Sequence, residues 1–166
     1  MSVSPPTDVL FVCTGNICRS PLAEALLKDY VEKQGLGDRF RISSAGTFAL
    51  NGNPATRQGQ RAARRWGLDL SSHRAREVSR SIMAASDFVL GMTRRHCFEL
   101  VAQFPEFENR IYLALLFPRR LSREDAEGID VPDPIGQSER YYTQVLEMMS
   151  PALPRILKGL LNEEDR

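Results

Sequence analysis

The stretch VLFVCTGNICRSP, residues 9–21, decides the fold of this chain. Its first four residues are an unbroken run of apolar β-formers, which predicts a strand buried on both faces, as in a parallel sheet. A polar loop with one glycine follows at once over residues 13–20, and Pro21 suits the first turn of a helix. Apolar residues then recur at helical spacing from Leu22 to Tyr30, and Gly35 ends the helix. The chain therefore opens with a strand, a loop and a helix.

The rest of the sequence continues this alternation. Further strands are predicted at residues 39–43, 88–92 and 111–115, and helices at residues 54–66, 79–86 and 94–104. Residues 68–72 are expected to return to the sheet or its edge, and residues 138–161 to form a closing helix disturbed by Pro151 and Pro154. Alternating strands and helices favour an α/β fold. We expect one three-layer domain over residues 1–166, with a four-stranded parallel sheet flanked by helices and a flexible end at residues 1–7.

The composition excludes several classes of protein. Among 166 residues, 22 Lys and Arg balance 21 Asp and Glu, so no net field attracts nucleic acid or an anionic membrane. No apolar run approaches the ~18 residues of a membrane span, and the first residues lack the pattern of a secretory signal. Three cysteines, an odd and low number, do not suit a secreted disulfide framework. We therefore expect a cytoplasmic protein with reduced thiols.

The loop after the first strand has the composition of an anion site. Parallel sheets bind ligands outside the carboxyl ends of their strands, where inward-facing backbone N–H groups and a helix N-terminus attract anions. Cys13 begins the loop and would share these donors, which stabilise its thiolate. Arg19 closes the loop with a planar fork that can hold two phosphoryl oxygens. Ser20 can donate a hydroxyl hydrogen bond to the sulfur. The pattern predicts a cysteine nucleophile in a phosphate-binding loop.

Other ligand chemistries fit this loop less well. The nucleotide motif G-x-x-x-x-G-K-[ST] is absent from the sequence. The spacing of the two cysteines in the loop is loose for zinc, the histidines are not paired at zinc spacing, and Arg19 would repel a cation. Such a site would draw on Cys13, Cys18, His73 and His96. We therefore expect neither a metal nor a cofactor.

The motif VCTGNICRSPLAEA, residues 12–25, resembles the active-site signature of the low-molecular-weight protein tyrosine phosphatases. The similarity extends over nearly the whole chain, through SAGT at residues 44–47, HRAR at residues 73–76 and the pair Asp133-Pro134. The resemblance implies a flavodoxin-like fold with a four-stranded parallel sheet. It also implies hydrolysis of phosphotyrosine in proteins through a phosphocysteine, without a metal, with inorganic phosphate as product.

The resemblance also implies roles for individual residues. Cys13 matches the nucleophile, Arg19 the phosphate clamp, and Asp133 the general acid that protonates the leaving oxygen and then activates water. Asp130 and Asp125 remain alternatives for the acid, although Pro132 and Pro134 stiffen the approach of Asp133. The matching phosphate-binding loop comprises Thr14, Gly15, Asn16, Ile17, Cys18 and Ser20. Ser44, predicted just after the second strand, and His73 match the polar network that supports the loop.

The two remaining thiols have different expected roles. By resemblance, Cys18 forms a reversible disulfide with Cys13 on oxidation, which would protect the nucleophile; a small buried filler is the alternative. Cys97 is expected only to pack in the core.

Three side chains are expected to wall the substrate pocket: Ile17, Phe48 and Ile135. Phe48 stands where relatives often have Trp, and Ile135 follows Asp133-Pro134 where many tyrosine-specific relatives carry adjacent tyrosines. One branch of the family hydrolyses phosphoarginine and has Thr at the position of Ile17, where tyrosine-specific members have Ile or Leu. Ile17 therefore favours phosphotyrosine, and phosphoarginine is the alternative substrate.

Three further functions are disfavoured. Arsenate reduction needs two relay cysteines after the nucleophile, and only Cys97 lies downstream of the loop. A phosphopeptide-binding module would not need the nucleophile and acid that the chain retains. Nucleic-acid binding lacks interleaved aromatic residues, so we expect a solvated basic face at Arg57, Arg61, Arg64, Arg65, Arg74, Arg76 and Arg80. The expected partners are phosphoproteins, with neither nucleic acid nor membrane, and the chain is expected to be a monomer or weak dimer.

Overall fold

The computed structural model describes residues 3–125 and 129–164. Four parallel strands form the sheet in the order β2-β1-β3-β4: β1 Thr7–Cys13, β2 Phe40–Gly46, β3 Phe88–Gly91 and β4 Ile111–Leu113. The helices are α1 Arg19–Lys33, α2 Arg57–Arg65, α3 Arg80–Ala85, α4 Arg94–Gln103, α5 Glu139–Met149 and α6 Leu153–Glu164. Short 3₁₀ turns occur at Gly37–Arg39, Pro105–Arg110 and Ser150–Ala152. The predicted α/β fold with four parallel strands is confirmed.

The central strand β1 explains its own apolar sequence. Residues 9–13 are all buried, because the strand pairs with β2 on one side and β3 on the other and both its faces are covered. Val9 and Phe11 pack in a core with α1, α5 and α6, whereas Leu10 and Val12 face a second core with α3 and α4. A strand packed in this way has no solvent-exposed face, so its sequence does not alternate between apolar and polar residues.

The strand order places the loop after β1 at a topological switch. From β1 the chain crosses to β2 at one edge, and later returns to β3 on the other side of β1. Connections that diverge in this way leave a crevice at the carboxyl end of the central strand. Residues 14–18 occupy that crevice between β1 and α1.

Side-chain caps set the start of several helices. Thr56 accepts a hydrogen bond from the backbone N–H of Gly59, Ser79 from that of Ile82, and Thr93 from that of His96. The cap at Thr56 is the reason that α2 begins at Arg57, three residues later than the predicted start. The predicted closing helix is interrupted as expected, because Pro151 has no N–H to donate and the chain makes a 3₁₀ turn between α5 and α6.

Three details of the predicted topology are wrong. Residues 68–72 form no strand: Leu68 and Leu70 are buried in the core, and the Asp69 carboxylate accepts the Ser71 N–H at 2.8 Å in a turn. The edge bridge to β2 is made by Glu77 opposite Gly46. Ser44 lies within β2 instead of after it. The strand β1 begins at Thr7, inside the end expected to be flexible.

Within the described residues, no helix has both the length and the apolarity that crossing a bilayer requires.

We expect Phe11→Ala to lower the free energy of unfolding by about 3–5 kcal/mol, because it leaves a cavity at the centre of the sheet. Phe11 is fully buried, whereas Phe98, which serves as the matched control, is 63% exposed. Phe98→Ala should change stability by no more than about 0.5 kcal/mol. Urea unfolding of the two variants measures the difference, and equal losses would contradict the placement of β1 in the core.

Candidate active site

The loop between β1 and α1 ends at a helix N-terminus whose backbone donors are not capped. Cys18 is the residue before α1, and among the described residues no side chain caps this end and no acidic residue lies in the first turn. The first N–H groups of a helix need acceptors, and the helix dipole adds positive potential there. The arrangement is suited to an anion.

Cys13 lies at the base of the loop, and its sulfur has a hydroxyl partner. Its Sγ lies 2.9 Å from the Ser20 Oγ, and both side chains are buried. Ser20 Oγ already accepts a hydrogen bond from the Asn16 amide at 2.9 Å, so its own proton is free to point at the sulfur. A hydrogen bond donated by this hydroxyl would stabilise a thiolate at Cys13.

Asn16 holds the loop in shape. It adopts the left-handed conformation with φ 55°, which asparagine tolerates better than most residues. Its amide donates to Ser20 and to Ser44 Oγ, the latter at 2.9 Å, and its Oδ1 accepts the Arg76 N–H at 2.9 Å. The His73 Nε2 lies 2.6 Å from its backbone carbonyl. The two predicted supporting residues, Ser44 and His73, therefore both contact the loop at Asn16.

Gly46 at the end of β2 allows the segment after β2 to lie close to the loop that follows β1. A Cβ at this position would lie 2.3 Å from the Thr14 carbonyl oxygen and 2.9 Å from the Ala49 Cβ. The next two residues continue the attachment, because Thr47 N–H donates to the Cys13 carbonyl and Phe48 N–H to the Thr14 carbonyl. The segment after β2 is therefore hydrogen-bonded along the loop that follows β1.

Arg19 is buried with part of its guanidinium unpaired. Its Nη1 donates to the Val131 carbonyl at 3.1 Å, and its Nη2 to Thr14 Oγ1 at 3.5 Å. Its Nε has no hydrogen-bond partner among the described residues. A buried donor without an acceptor costs about 1–3 kcal/mol, and a phosphoryl oxygen would satisfy it.

Of the three aspartates considered as the acid, Asp133 alone lies beside Arg19. Its Oδ2 is 3.7 Å from the Arg19 Nη2, its Oδ1 accepts the Ile135 N–H at 3.1 Å, and the carboxyl is half exposed. The Asp130 carboxylate instead accepts the Arg94 N–H at the start of α4. Asp125 pairs with Arg119 at 2.6 Å, and this contact lowers the pKa of Asp125 to about 2.

The predicted pocket walls lie on segments attached to the site. Ile17 is half-buried and packs against the core beside the loop. Phe48 and Ile135 are 78% and 50% exposed; Phe48 is bonded to the loop at Thr14, and Ile135 follows Asp133 by two residues. The exposed apolar side chains are available to a flat ring entering above the loop.

The other two thiols lie in unreactive surroundings. Burial raises the pKa of Cys18 to about 11, and its Sγ lies 3.5 Å from the Tyr142 hydroxyl behind the loop. Burial also raises the pKa of Cys97 to about 12. Both are protonated at neutral pH, so neither is a nucleophile there.

The structure adds two residues to the site that the sequence analysis did not assign to the phosphate loop. Arg76, expected on a solvated basic face, points inward: its Nε donates to the Ser44 carbonyl and its Nη2 to Ser43 Oγ, both at 3.0 Å. The sequence signal for a role of Arg76 at the site was its position in the HRAR motif, residues 73–76. The other addition is His96, whose Nε2 lies 2.8 Å from Thr14 Oγ1. In the described part of the chain, no group of three or more His, Cys, Asp or Glu could hold a metal ion.

Two other arginines of the expected basic face are exposed and form ion pairs, Arg65 with Glu139 at 2.6 Å and Arg80 with Glu106 at 2.5 Å. Their charges are locally neutralised, which weakens any attraction for a nucleic-acid backbone.

Comparison with known proteins agrees with this geometry. The sequence profile of the low molecular weight phosphotyrosine protein phosphatases matches residues 8–166. The chain belongs to this family. A protein-arginine-phosphatase of Bacillus subtilis is 34% identical over 155 residues, which are 92% of this chain and 96% of the relative. The low molecular weight protein-tyrosine-phosphatase YfkJ of the same organism is 32% identical over 162 residues, 95% and 97% of the two chains.

A solved structure shows the same fold. The YwlE arginine phosphatase, in a mutant whose active-site serine is phosphorylated, superposes with a TM-score of 0.81 at 30% identity. The match covers 96% of this chain and 98% of that one. The family resemblance of the loop is thereby confirmed over the whole domain, and members of both substrate branches are similar to this chain.

We expect iodoacetate at pH 7 to alkylate Cys13 while Cys18 and Cys97 remain unmodified. The thiolate is the reactive form, and the raised pKa values of Cys18 and Cys97 keep both protonated. Mass mapping of peptides after a short exposure identifies the modified thiol. Inorganic phosphate should slow the reaction because it competes for the same donors. Alkylation of Cys18 as rapid as that of Cys13 would contradict the assignment.

Proposed function

We propose that this phosphatase hydrolyses phosphotyrosine in proteins through a phosphocysteine on Cys13. The observation that carries the proposal is the combination at one loop of a sulfur 2.9 Å from the Ser20 hydroxyl, an uncapped helix N-terminus and a buried guanidinium nitrogen without a partner among the described residues. These groups converge on the place where a phosphoryl group would sit against the sulfur. Its partners are then phosphoproteins, and inorganic phosphate is released.

In the first step, the Cys13 thiolate attacks phosphorus and the bond from phosphorus to the leaving oxygen breaks. The transition state is loose, so positioning and charge stabilisation contribute most of the acceleration. Arg19 and the loop N–H groups hold the phosphoryl oxygens. Asp133, protonated at this stage, gives its proton to the leaving phenolate oxygen, which departs as a neutral phenol.

In the second step, water attacks the phosphorus of the phosphocysteine. The Asp133 carboxylate takes one proton from the water, the S–P bond breaks, and phosphate and the Cys13 thiolate separate. The Ser20 hydroxyl stabilises the departing sulfur through the contact described above. Apart from substrate and water, the groups in this cycle are side chains and backbone N–H groups of the chain itself.

The pocket walls support an aromatic substrate. Ile17, Phe48 and Ile135 offer apolar contact area around the loop, which suits the face of a phenol ring. Phosphoarginine is the second candidate, favoured by the 34% identity with a protein-arginine-phosphatase. The cytoplasmic location and a monomeric or weakly dimeric state stay predictions from the sequence.

We expect Cys13→Ser to abolish turnover and Asp133→Ala to reduce it according to the leaving group. A positioned acid contributes about 10²–10⁴-fold where the leaving oxygen is basic, so phosphotyrosine peptides should lose most and p-nitrophenyl phosphate least. Steady-state kcat on both substrates measures the contrast. Asp125→Asn is the control, because that carboxylate pairs with Arg119 elsewhere. Equal losses on both substrates would count against Asp133 as the acid.

We expect Ile17→Thr to raise kcat/KM for phosphoarginine peptides relative to phosphotyrosine peptides by about tenfold. The new hydroxyl can donate one hydrogen bond, of about 1 kcal/mol or more, to a substrate with a P–N bond. Ile17→Val is the matched control, because Val has the shape of Thr without the hydroxyl. If the two variants show the same substrate ratio, Ile17 does not set specificity by hydrogen bonding.

A further inference from the structure

His96 lies beneath the catalytic loop, outside the set of residues that the reaction uses directly. It is buried on α4, and its ring bridges two threonine hydroxyls. The Nε2 lies 2.8 Å from Thr14 Oγ1, and the Nδ1 lies 2.8 Å from Thr93 Oγ1. Burial and the charge of Arg19 lower the pKa of His96 to about 4. The ring is therefore neutral at pH 7 and carries a single N–H.

The partners of Thr93 determine which ring nitrogen carries that proton. Thr93 Oγ1 accepts the backbone N–H of His96 at 3.3 Å, and its own proton has one acceptor among the described residues, the Nδ1 of His96. If Nδ1 is unprotonated, Thr93 donates to it and both hydroxyl functions are used. If Nδ1 carries the proton, the Thr93 hydroxyl proton is left without a protein acceptor in the described chain. Hydrogen-bond satisfaction therefore favours the Nε2–H form.

This tautomer fixes the hydroxyl of Thr14. In the Nε2–H form the ring donates to Thr14 Oγ1, which also accepts from the Arg19 Nη2 at 3.5 Å. With both acceptor positions of the oxygen occupied, its proton must point away from His96 and Arg19. Thr14 is exposed and lies beside Arg19, so its proton is free to meet a phosphoryl oxygen that Arg19 holds.

We propose that His96 is a positioning residue: its Nε2–H orients the Thr14 hydroxyl so that this hydroxyl donates a hydrogen bond to a phosphoryl oxygen held by Arg19. The inference rests on the proposed function, because it concerns the same phosphate site. It adds one side-chain donor to the backbone N–H groups and the guanidinium. His96 itself does not touch the substrate.

The position of His96 on α4 makes the orientation rigid. Thr93 caps α4, and the Asp130 carboxylate accepts the Arg94 N–H at 2.8 Å at the same helix end. The backbone N–H of Val131 donates to the Met92 carbonyl, and the Val131 carbonyl accepts from Arg19. The start of α4 therefore connects the phosphate loop to the segment that carries Asp133, and the imidazole is held between two anchored elements.

The tautomer can be measured directly in the wild-type protein. Long-range ¹H–¹⁵N spectra of the two histidines distinguish a protonated ring nitrogen from an unprotonated one. We expect His96 to have Nε2 protonated and Nδ1 unprotonated at pH 7, with and without inorganic phosphate. A proton on Nδ1, or on both nitrogens, would overturn the proposal.

A pair of substitutions separates positioning from structural support. The amide nitrogen of Gln reaches the place of the imidazole Nε2, whereas that of Asn reaches only the place of Nδ1. We expect His96→Gln to retain kcat and phosphate affinity within about threefold. His96→Asn should lose about tenfold or more in kcat and in affinity for inorganic phosphate, as Thr14→Val does, because each removes one hydrogen bond to a charged group.

The double variant His96→Asn/Thr14→Val completes the test. Since both changes remove the same hydrogen bond, its kcat should be no lower than that of Thr14→Val alone. Losses that multiply, or equal losses for the Gln and Asn variants, would show that His96 only supports the fold. A wild-type protein without phosphatase activity would overturn the proposed function instead, while the spectra and the phosphate affinities still test the role of His96.

Discussion

The structure depends on the hydrogen bonds that keep the loop after β1 curved around an anion site. Asn16 takes part in four of them, and three of its partners come from distant parts of the sequence: Ser44, His73 and Arg76 lie 28, 57 and 60 residues away. An isolated loop of this sequence would have no reason to keep a non-glycine residue at positive φ, which is strained for most side chains. The domain therefore has to be complete before the loop takes its shape, and the sheet serves mainly to bring these partners to one place.

The same loop leaves several polar groups incompletely satisfied within the described chain. The first turn of α1 has no side-chain cap, and the Nε of Arg19 has no partner. Each unsatisfied buried donor reduces stability, and a bound oxyanion would restore it. Side-chain caps at Thr56, Ser79 and Thr93 satisfy the starts of other helices, whereas at the start of α1 a ligand would supply the acceptor. Local instability at this point is what a site for a doubly charged group requires.

The sequence predicts the local features of this site better than the long-range ones. The strand, loop and helix at residues 9–33 follow from an apolar run, a glycine and a helical period, all of which are short-range signals. The break before α6 follows from Pro151 alone. By contrast, the orientation of the Arg76 side chain depends on where its segment runs beside β2. The contact of His96 with Thr14 joins positions 82 residues apart. Residues 68–72 had the apolar spacing of a strand, and both leucines are buried, but the chain turns at Asp69 instead of pairing with the sheet. Spacing along the chain carries no information on which loops meet. The family motif singled out Asp133 as the general acid, where the sequence otherwise left three aspartates as candidates.

The two cysteines of the loop lie five residues apart in the sequence but have different surroundings. Both side chains are buried, but Cys13 ends β1 with its sulfur 2.9 Å from the Ser20 hydroxyl, whereas Cys18 precedes α1 and packs against α5. There the Tyr142 hydroxyl contacts its sulfur, and burial raises its pKa to about 11. A thiol in that state is a slow nucleophile toward an oxidised Cys13, since attack requires the thiolate. The disulfide implied by the family resemblance therefore requires the contacts between Cys18, Tyr142 and Thr56 to loosen first. The packing that keeps Cys18 protonated is thus also the barrier to that disulfide.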